Sequence, residues 1–526
     1  MPNEAKVTDH FKNISDYLYF YAKQQPDKII AVQDNNHVSY EKLANQVDRT
    51  AKLLVALGIK KGDRVATLCT PSTEFLIVFL ATSSIGAIWI GLNPKYTLDE
   101  LTYVVSDSKP KLIFSRSEVA GRKYDNEMMH LKDQCDYLEY VILLDESTKS
   151  SVIDTYQSLL DKYSSKVNTD ELRQYQGLVN KKDSALIVYT SGTTGKPKGA
   201  LLPHGGLIES YKVQNRIYDC THMSILNFLP VNHIGCVGDI SCSTLIAGGT
   251  IYFMEQFEPE ECLRLISEEK LTIWGGVPTT FQMCLAHPNF EQYDLSQLQL
   301  IIWSGAAAPE EMVRSLAKIS PRLGNCYGQT ETVGCVTFVP PCDDIDLLTN
   351  TVGVPPDEYK VRIVDSNGEN SKQGETGEIV VKGSYFMNGY WERPEEMKKT
   401  YDAEGWLHTG DLGLQRTDGY ISLVGRITEI FISGGYNIYP REIEQVIESY
   451  PGVVMAAVIA VPDPLYGEVG HAFILDPEKL VNVGKLEDYC RSRLANYKIP
   501  KEFKCHEMLP MLPIGKIDKI TLRDSL

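Results

Sequence analysis

The stretch YTSGTTGKPKG at 189–199 concentrates the residue types that hold phosphate. Closely spaced glycines let backbone N–H groups approach an anion, and hydroxyl and ammonium groups can donate to its oxygens. By itself the stretch predicts a polyphosphate ligand and nothing finer. The candidate phosphate-binding residues are Thr190, Ser191, Gly192, Thr193, Thr194, Gly195 and Lys198.

This loop is not the phosphate-binding loop of motor ATPases. That loop requires Ser or Thr directly after its Gly-Lys pair, because the hydroxyl binds the magnesium ion of the nucleotide. Here Pro197 follows Gly195 and Lys196. A motor ATPase is therefore excluded.

A second stretch, NCYGQTET at 325–332, places an aromatic ring, a hydroxyl and a carboxylate close together. Tyr327 can stack on a base, Thr330 can bond an α-phosphate, and Glu331 can hold a Mg²⁺ ion that offsets the charge of a triphosphate. Taken alone, the same residues also fit an ordinary polar loop.

Three further segments complete a set of five motifs: GWLHTGDLG at 405–413, LVGRITEIFISGGYNIYPREIE at 423–444 and LPIGKIDK at 512–519. Together the five motifs resemble the class I adenylate-forming superfamily, which contains acyl-CoA synthetases, the adenylation domains of peptide synthetases, and luciferases. The resemblance runs across nearly the whole chain, and the motifs occur in the order and at the separations of the family.

The resemblance implies a reaction in two steps. The glycine-rich loop holds the β- and γ-phosphates of ATP while a substrate carboxylate attacks the α-phosphorus, so that pyrophosphate leaves and an acyl adenylate forms. A thiol then attacks the acyl carbon and expels AMP. Because a carboxylate is a weak nucleophile approaching a polyanion, charge neutralisation and alignment must supply most of the catalysis.

The resemblance also assigns roles to single residues. Lys516 matches the lysine that bridges the carboxylate and the α-phosphate oxygens, Asp411 matches the acceptor for the ribose hydroxyls, and Arg426 matches an arginine that reaches the same sugar. An ionised Asp suits two hydroxyl donors because it is purely an acceptor. The remaining implied nucleotide-binding residues are Gly305, Ala306, Ala307, Asn325, Gly328 and Gln329, of which Asn325 would bond the adenine amino group.

The segment after Arg426 matches the hinge of the family, about which a small domain rotates for the second step. Members often carry Lys or Asp two residues after the arginine, whereas this chain has Thr428. Ser433, Gly434 and Gly435 match the stretch that lines the pantetheine tunnel after rotation, where glycine permits a close approach.

The acyl pocket implied by the resemblance starts with His233, which matches a histidine beside the substrate carboxylate. Asn232 precedes it where an aromatic residue is usual, which favours a substrate with polar character. Gly235 stands where amino-acid-activating members usually carry Asp, so an amino acid is disfavoured. The other expected pocket residues are Val237, Gly275, Gly276, Trp303 and Ser304.

Several functions stay open at this point. The main expectation is an acyl-CoA ligase that uses ATP, Mg²⁺ and coenzyme A, since no carrier-protein domain follows Leu526. The alternative is a stand-alone adenylation enzyme that loads a carboxylic or amino acid onto a carrier-protein thiol. A luciferase-type oxidation is a further alternative, because it proceeds through the same acyl adenylate. A non-catalytic ATP sensor is disfavoured because Lys516, Glu331 and Asp411 are all present.

Net charge and cysteine spacing limit the kinds of binding partner and the location expected of the protein. A net charge of −17 argues against binding to nucleic acid or to anionic lipid through charge. The 12 scattered cysteines form no metal-binding pattern and suit a reducing, cytosolic location. The acid itself, whether fatty, aryl, polar or amino, and the oligomeric state are left open.

The elements that must position these residues follow an alternating pattern of helices and strands, which predicts an α/β fold with buried sheets. The apolar run Phe75–Leu92 is interrupted by Thr82, Ser83 and Ser84, and we interpret it as a buried helix turning into a strand at Ala87–Leu92 rather than a membrane span. Strands are predicted at 64–69, 111–114, 140–144, 185–190, 250–253, 272–275 and 300–303, and helices at 40–57, 259–268 and 309–318.

The sequence pattern changes near Gly425 and Arg426, after which about a hundred residues contain their own short strands and amphipathic helices. This change predicts two domains. Residues 1–425 would form a large AMP-binding domain of layered α/β subdomains that takes ATP and the acyl substrate. Residues 426–526 would form a small mobile α+β domain with helices at 441–449 and 485–494 and a strand at 453–461.

Overall fold

The computed structural model describes residues 10–145, 154–190, 196–220, 222–512 and 516–526. The chain divides into two compact units, each assembled from several stretches. The first unit contains Met1–Gly275, Gly328–Cys335 and Gly383–Lys398, and the second contains Gly276–Tyr327, Val336–Lys382 and Lys399–Leu526.

One sheet of the first unit carries the phosphate loop. Its central strands are parallel and, apart from Arg64, buried, as expected for apolar strands covered by helices on both faces. The two strands that border the loop run antiparallel at one side of this core. In spatial order the strands are Gly389–Tyr390, Lys198–Pro203, Ser184–Thr190, Ile88–Leu92, Arg64–Leu68, Leu112–Ser115, Tyr140–Leu143 and Asp154–Thr155.

The first unit also contains a second set of paired strands: Asn36–Ser39, Ile29–Gln33, Thr250–Phe253, Ser224–Asn227 and Ile273–Gly276, of which Gly276 alone belongs to the second unit. A short hairpin joins Glu118–Val119 to Arg122–Lys123. The α-helices are Asp16–Gln24, Tyr40–Ala56, Thr73–Ser84, Leu98–Ser108, Asp125–Gln134, Tyr156–Tyr163, Thr169–Gly177, His204–Tyr218, Ser243–Ile246, Pro259–Glu268 and Pro394–Thr400. A π-helix covers Gly235–Cys242, and a 3₁₀ turn covers Thr330–Thr332.

The second unit contains two further sheets and a parallel pair. The parallel pair is Leu300–Ser304 with Leu323–Gln329, whose last two residues belong to the first unit. The strand Gly334–Cys342 follows in the chain and enters the second unit at Val336. An antiparallel sheet has the order Lys360–Val364, Gly377–Lys382, Leu407–Gln415 and Ile421–Arg426. The last sheet contains Tyr436–Ile438, Phe431–Ser433, Gly467–Leu475, Met455–Asp463 and, parallel to Gly467–Leu475, Glu502–His506.

Helices of the second unit pack on these sheets. The α-helices are Pro278–Leu285, Glu310–Ala317, Ile345–Asn350, Pro440–Glu448, Val483–Arg491 and Lys519–Asp524. The 3₁₀ turns are Phe290–Gln292, Ile427–Glu429 and Asn496–Lys498. Apolar residues of Pro440–Glu448 and Val483–Arg491, among them Ile443, Ile447 and Leu486, form a separate small core with the C-terminal sheet.

Local sequence signals explain where the helices begin and end. The Ser39 side chain accepts from the N–H of Lys42 at the start of Tyr40–Ala56. Thr97 and Glu100 form a reciprocal capping box. Gly58, with φ of 84°, terminates Tyr40–Ala56 as predicted. The predicted helices and strands are confirmed, with ends that shift by up to three residues because terminal turns and ladder ends are weakly held.

The apolar run is confirmed as a buried helix followed by a strand. Every residue of Thr73–Ser84 except Glu74, and every residue of Ile88–Leu92, is buried within the first unit. Ser83 and Ser84 donate to carbonyls three or four residues earlier, so their hydroxyls are satisfied inside the core. In the described part of the chain, no helix has the length and apolarity needed to cross a membrane.

Candidate active site

The two arms of the phosphate loop are neighbouring strands of one hairpin. Ser184–Thr190 leads into the loop and Lys198–Pro203 leads out of it, with Thr190 directly opposite Lys198. Ser191, Gly192, Thr193, Thr194 and Gly195 lie outside the described residues, and their phosphate contacts stay predictions. The sheet therefore brings the first and last polar residues of the motif side by side.

Glu331 lies at this hairpin. Its Oε1 accepts from the Tyr390 hydroxyl at 2.8 Å and from the Thr190 hydroxyl at 3.4 Å. Glu331 belongs to the 3₁₀ turn Thr330–Thr332, and Met387 N–H donates to its backbone carbonyl at 2.9 Å. The turn thus delivers a carboxylate to the start of the phosphate loop.

Residues around this turn leave little space. Thr330 is buried. A Cβ at Gly328 would meet the Gly334 carbonyl oxygen at 2.0 Å, so only glycine fits there. Gln329 caps the turn, because its N–H donates to the Thr332 hydroxyl at 2.9 Å. Gly328 and Gln329 therefore have a structural reason to be present beside their predicted nucleotide contacts.

Lys198 is held by an acid that the sequence did not reveal. Its Nζ forms an ion pair with Glu396, and the two side chains are only 12% and 20% exposed. The ring of Tyr390 lies 5.7 Å from the same Nζ. The phosphate-loop lysine is therefore already paired with the carboxylate of Glu396, and an incoming phosphate must compete with that carboxylate.

Tyr390 and Glu396 were missed because no spacing rule links them to the loop. They lie 59 residues from Glu331 and 198 residues from Lys198. One signal was present: the stretch GYWERPEE at 389–396 combines aromatic and acidic residues as densely as the stretches that were singled out. Gly389–Tyr390 pairs with Lys198–Pro203, which places this stretch beside the loop.

In the second unit, Asp411 is gripped from two sides. Its Oδ2 accepts from the Tyr327 hydroxyl at 2.8 Å, and its Oδ1 lies 2.9 Å from Arg426 Nε. The antiparallel strands Leu407–Gln415 and Ile421–Arg426 place Asp411 opposite Arg426 in register. Asp411 is 5% exposed and Arg426 53%, so the carboxylate is oriented by its neighbours while the guanidinium reaches solvent.

Electrostatics match this grip. Burial and the adjacent Asp411 raise the pKa of Tyr327 well above its ordinary value, so its hydroxyl stays a donor. Burial alone would lower the pKa of Arg426, but Asp411 and Glu429 outweigh it and raise the pKa. The sequence predicted that Tyr327 stacks on a base, and its bond to Asp411 was not foreseen.

Lys516 lies in the same electrostatic neighbourhood. Burial and the nearby Arg426 lower the pKa of Lys516 to about 8, against the opposing effect of Asp411 and Glu429. Its carbonyl accepts from the Leu512 N–H at 2.7 Å. A Cβ at Gly305 would lie 3.9 Å from Lys516 Cε. The structure thus brings together Lys516, Arg426, Asp411 and Gly305, four residues singled out in separate motifs.

The residues expected around adenine follow two neighbouring strands of this unit. Gly305 and Ala306 are exposed and Ala307 is half-buried directly after Leu300–Ser304. Asn325 lies on the parallel strand, where its Nδ2 donates to the carbonyls of Leu348 and Thr351 at 2.7 and 3.0 Å. These bonds fix the orientation of the amide, so that Oδ1 is the atom suited to accept from an amino group.

His233 precedes the π-helix Gly235–Cys242, an element that is uncommon and often found at functional sites. Its Nδ1 accepts from the Gly235 N–H at 3.1 Å. The neutral ring then carries its proton on Nε2, which makes that atom the donor for a carboxylate.

Asn232 lies in the turn before the π-helix, and the other expected pocket residues lie within that helix or at the ends of strands. The Asn232 amide donates to the Tyr96 hydroxyl at 2.9 Å, so its polarity has a structural explanation beside any contact with substrate. Val237 is buried in the π-helix. Gly275 and Gly276 end Ile273–Gly276, and Trp303 and Ser304 end Leu300–Ser304, which is where ligands bind on parallel strands.

The hinge and tunnel residues adopt well-defined turns. Thr428 is the middle residue of the 3₁₀ turn Ile427–Glu429. Gly434 and Gly435, with φ of 57° and 87°, form the two-residue turn between Phe431–Ser433 and Tyr436–Ile438. Such hairpin turns require positive φ at both positions, which explains the glycine pair. Ser433 is buried next to them.

Comparison with known protein families gives two matches. The model described as AMP-binding enzyme matches residues 19–391. The model described as AMP-binding enzyme C-terminal domain matches residues 442–516. The first match includes the stretches at 189–199 and 325–332, and the second ends at Lys516.

Individual relatives cover almost the full chain. A feruloyl-CoA synthase of Amycolatopsis sp is 32% identical over 95% of this chain and 96% of its own length. An indoleacetate–CoA ligase of Aromatoleum aromaticum is 31% identical over 97% of each chain. The crystal structure of ATP-bound MatB from Rhodopseudomonas palustris superposes with a TM-score of 0.82 at 28% identity, covering 98% of this chain and 99% of that chain.

Proposed function

Because the chain belongs to the AMP-binding enzymes of the class I adenylate-forming superfamily, with a large N-terminal and a smaller C-terminal domain, we propose that it ligates a carboxylic acid to coenzyme A in two steps. ATP and the acid form an acyl adenylate and pyrophosphate, and coenzyme A then takes the acyl group and releases AMP. The observation that carries the proposal is the cluster of Lys516, Arg426, Asp411 and Tyr327.

In the first step, Lys516 brings the acid and the nucleotide together. Protonated, it can bond one oxygen of the carboxylate and one of the α-phosphate, which offsets the repulsion between two anions. Asp411 accepts from the ribose hydroxyls, and Arg426 holds both Asp411 and the sugar. The His233 Nε2–H orients the carboxylate for attack on phosphorus.

The triphosphate end is held by the hairpin of the first unit. Lys198 moves from Glu396 to the phosphates, and the hydroxyls of Thr190 and the loop donate to their oxygens. A Mg²⁺ ion fits this place, because Glu331 offers a carboxylate oxygen beside the Thr190 hydroxyl, and hard oxygen ligands suit that ion. When bound, the ion neutralises charge on the departing pyrophosphate.

In the second step the thiol of coenzyme A attacks the acyl carbon and AMP leaves with the bonding electron pair. The turn around Gly434 and Gly435 carries no side chains and lets a narrow pantetheine chain pass close to the backbone. The domain boundary after residue 425 and rotation about Thr428 stay predictions that fit this step. A cytosolic location also stays a prediction.

The deciding experiment is pyrophosphate release with a panel of fatty, aryl, hydroxylated, quaternary-ammonium and amino acids, followed by mass spectrometry of the products with coenzyme A. We expect at least one acid to release pyrophosphate and to appear as its coenzyme A thioester. Thioester formation on a carrier-protein phosphopantetheine, with none on free coenzyme A, would change the acceptor. Silence with every acid would overturn the proposal.

A further inference from the structure

Asp107 lies in the first unit, at the C-terminal end of the helix Leu98–Ser108, and contacts the entry to the phosphate loop. Its Oδ2 accepts from the Tyr189 hydroxyl at 2.8 Å, one residue before Thr190. Its Oδ1 pairs with Arg393, and its backbone carbonyl accepts from Trp391 Nε1 at 3.0 Å. The side chain is 11% exposed, so these partners replace most of its water.

The same helix also holds the exit of the loop. The Tyr103 hydroxyl, one turn before Asp107, donates to the Pro197 carbonyl at 2.7 Å. Trp391 reinforces this side, because its N–H donates to the Gly199 carbonyl at 2.8 Å. One helix and one short segment therefore fix the residues on both sides of positions 191–195.

The protonation states of Tyr189 and Arg393 make both groups hydrogen-bond donors to Asp107. Burial and the adjacent Asp107 raise the pKa of Tyr189 well above its ordinary value, so Tyr189 keeps the proton it donates. A hydrogen bond to Tyr103 raises the pKa of Arg393, and Asp107 adds to the effect against the opposing influence of burial. Loss of one partner from such a shielded pair is costly, because the other charge is left unpaired.

Asp107 is not itself a ligand for phosphate. Both carboxylate oxygens already have partners, and its negative charge would repel a polyanion. Its effect must pass through the backbone at Tyr189 and Pro197. Thr190 and Lys198, which flank those two positions, then have less freedom to lose when they donate to phosphate, so the triphosphate binds more tightly.

We propose that Asp107 is a positioning residue for the triphosphate: through Tyr189 and Arg393 it holds both ends of the loop at the separation that binding of the β- and γ-phosphates requires. The inference rests on the proposed function only in assigning those phosphates to the loop. It predicts a selective effect, since AMP lacks the two phosphates that the loop would hold.

The test compares binding of α,β-methylene-ATP with Mg²⁺ and binding of AMP, by calorimetry on the full chain. Asp107→Asn and Tyr189→Phe should each weaken binding of the ATP analogue by roughly 10-fold, or about 1.4 kcal/mol, and leave AMP binding within about two-fold. The double variant should lose less than the product of the single losses, because both substitutions disturb the same contact between Asp107 and Tyr189: Asp107→Asn leaves one acceptor oxygen for two donors, and Tyr189→Phe removes one of those donors.

Asp63→Asn is the matched control. Asp63 is another partly buried acid of the first unit, 16% exposed and paired with Lys111 at 2.9 Å, and it should leave both ligands unaffected. Equal weakening of the ATP analogue and AMP would overturn the inference, because it would show a general structural effect. Unchanged binding of the ATP analogue in both variants would overturn it as well.

Failure of the proposed function is seen separately. If the wild type binds the ATP analogue but releases no pyrophosphate with any acid, the ligase proposal fails. The selective effect of Asp107 is still tested by comparing the loss of ATP-analogue binding with the loss of AMP binding. A wild type that binds neither nucleotide would sink both.

Discussion

The two lysines that the sequence singled out are in opposite electrostatic situations. Lys198 faces a carboxylate, Glu396, and the two side chains shield each other from solvent. Burial, together with the like charge of Arg426, lowers the pKa of Lys516 to about 8. The first lysine is stabilised before a ligand arrives, whereas the second is destabilised as a cation.

This difference indicates two ways to prepare a cation for a polyanion. Lys198 must exchange one anionic partner for another, so its contribution to binding is the difference between two similar interactions. Lys516 gains from the ligand a counter-charge beyond those of Asp411 and Glu429, which do not offset its burial. An anion beside it raises its pKa and stabilises its protonated form. We therefore expect Lys516 to contribute more to catalysis than Lys198.

The largest expected effect comes from Lys516→Ala. Loss of the cation between two anions should lower adenylate formation by roughly 10²- to 10³-fold, the scale of a lost electrostatic contact in a transition state. Thioester formation from supplied acyl adenylate should be spared. Single-turnover assays of each step measure this, with the exposed Lys485→Ala as a control. Equal loss of both steps would refute the assigned role.

Glu331→Gln should come next. The amide keeps an acceptor for the Tyr390 hydroxyl but removes the charge that would hold Mg²⁺. We expect adenylation to fall by roughly 10- to 100-fold and to recover in part at high Mg²⁺ concentration. A titration of the adenylation rate against Mg²⁺ tests this. A rate that falls without any shift in the Mg²⁺ dependence would remove Glu331 from the metal site.

A pH profile should sharpen the contrast between the lysines. In the free enzyme Lys516 loses its proton as pH rises through about 8. Since the protonated form is needed, kcat/KM for adenylation should decline above that pH, and up to 10-fold by one unit beyond it. The decline should be absent in Lys516→Arg, whose guanidinium stays charged. An identical decline in that variant would assign the titration to another group.

The smallest effect is expected from Glu396→Gln. Removal of the carboxylate frees Lys198 for phosphate but also removes a partly buried ion pair, so the two consequences oppose each other. We expect ATP to bind about two-fold more tightly, with a slightly lower melting temperature. Calorimetry and thermal unfolding measure the two changes. ATP binding weakened by 10-fold or more would show that Glu396 assists binding rather than competing.

Sequence patterns predicted much of the fold, and they singled out site residues that the structure brings together. The alternation of apolar runs was enough for strands such as Thr250–Phe253 and helices such as Pro259–Glu268, which the structure reproduces without a shift. The motifs also supplied Asp411, Arg426 and Lys516, which lie in one neighbourhood. Short-range periodicity and family motifs carry this information directly.

The supporting residues could not be predicted in the same way. Asp107 and Arg393 are 286 residues apart, and neither belongs to one of the five motifs from which a function was predicted. Their pairing depends on where a helix end and a strand edge meet in three dimensions. Likewise, the Tyr327 hydroxyl bond to Asp411 depends on strand register rather than on the letters NCYGQTET.

The register that sets Arg426 opposite Asp411 has a kinetic implication. Arg426 is the last residue of its strand, while Lys516 lies beyond the turn that holds Thr428. A rotation of the C-terminal segment about that turn would move Lys516 away from the nucleotide but leave Arg426 bound to the ribose. Nucleoside monophosphate would then stay anchored until the thioester has departed, and product inhibition studies should find AMP competing with ATP as the final product to dissociate.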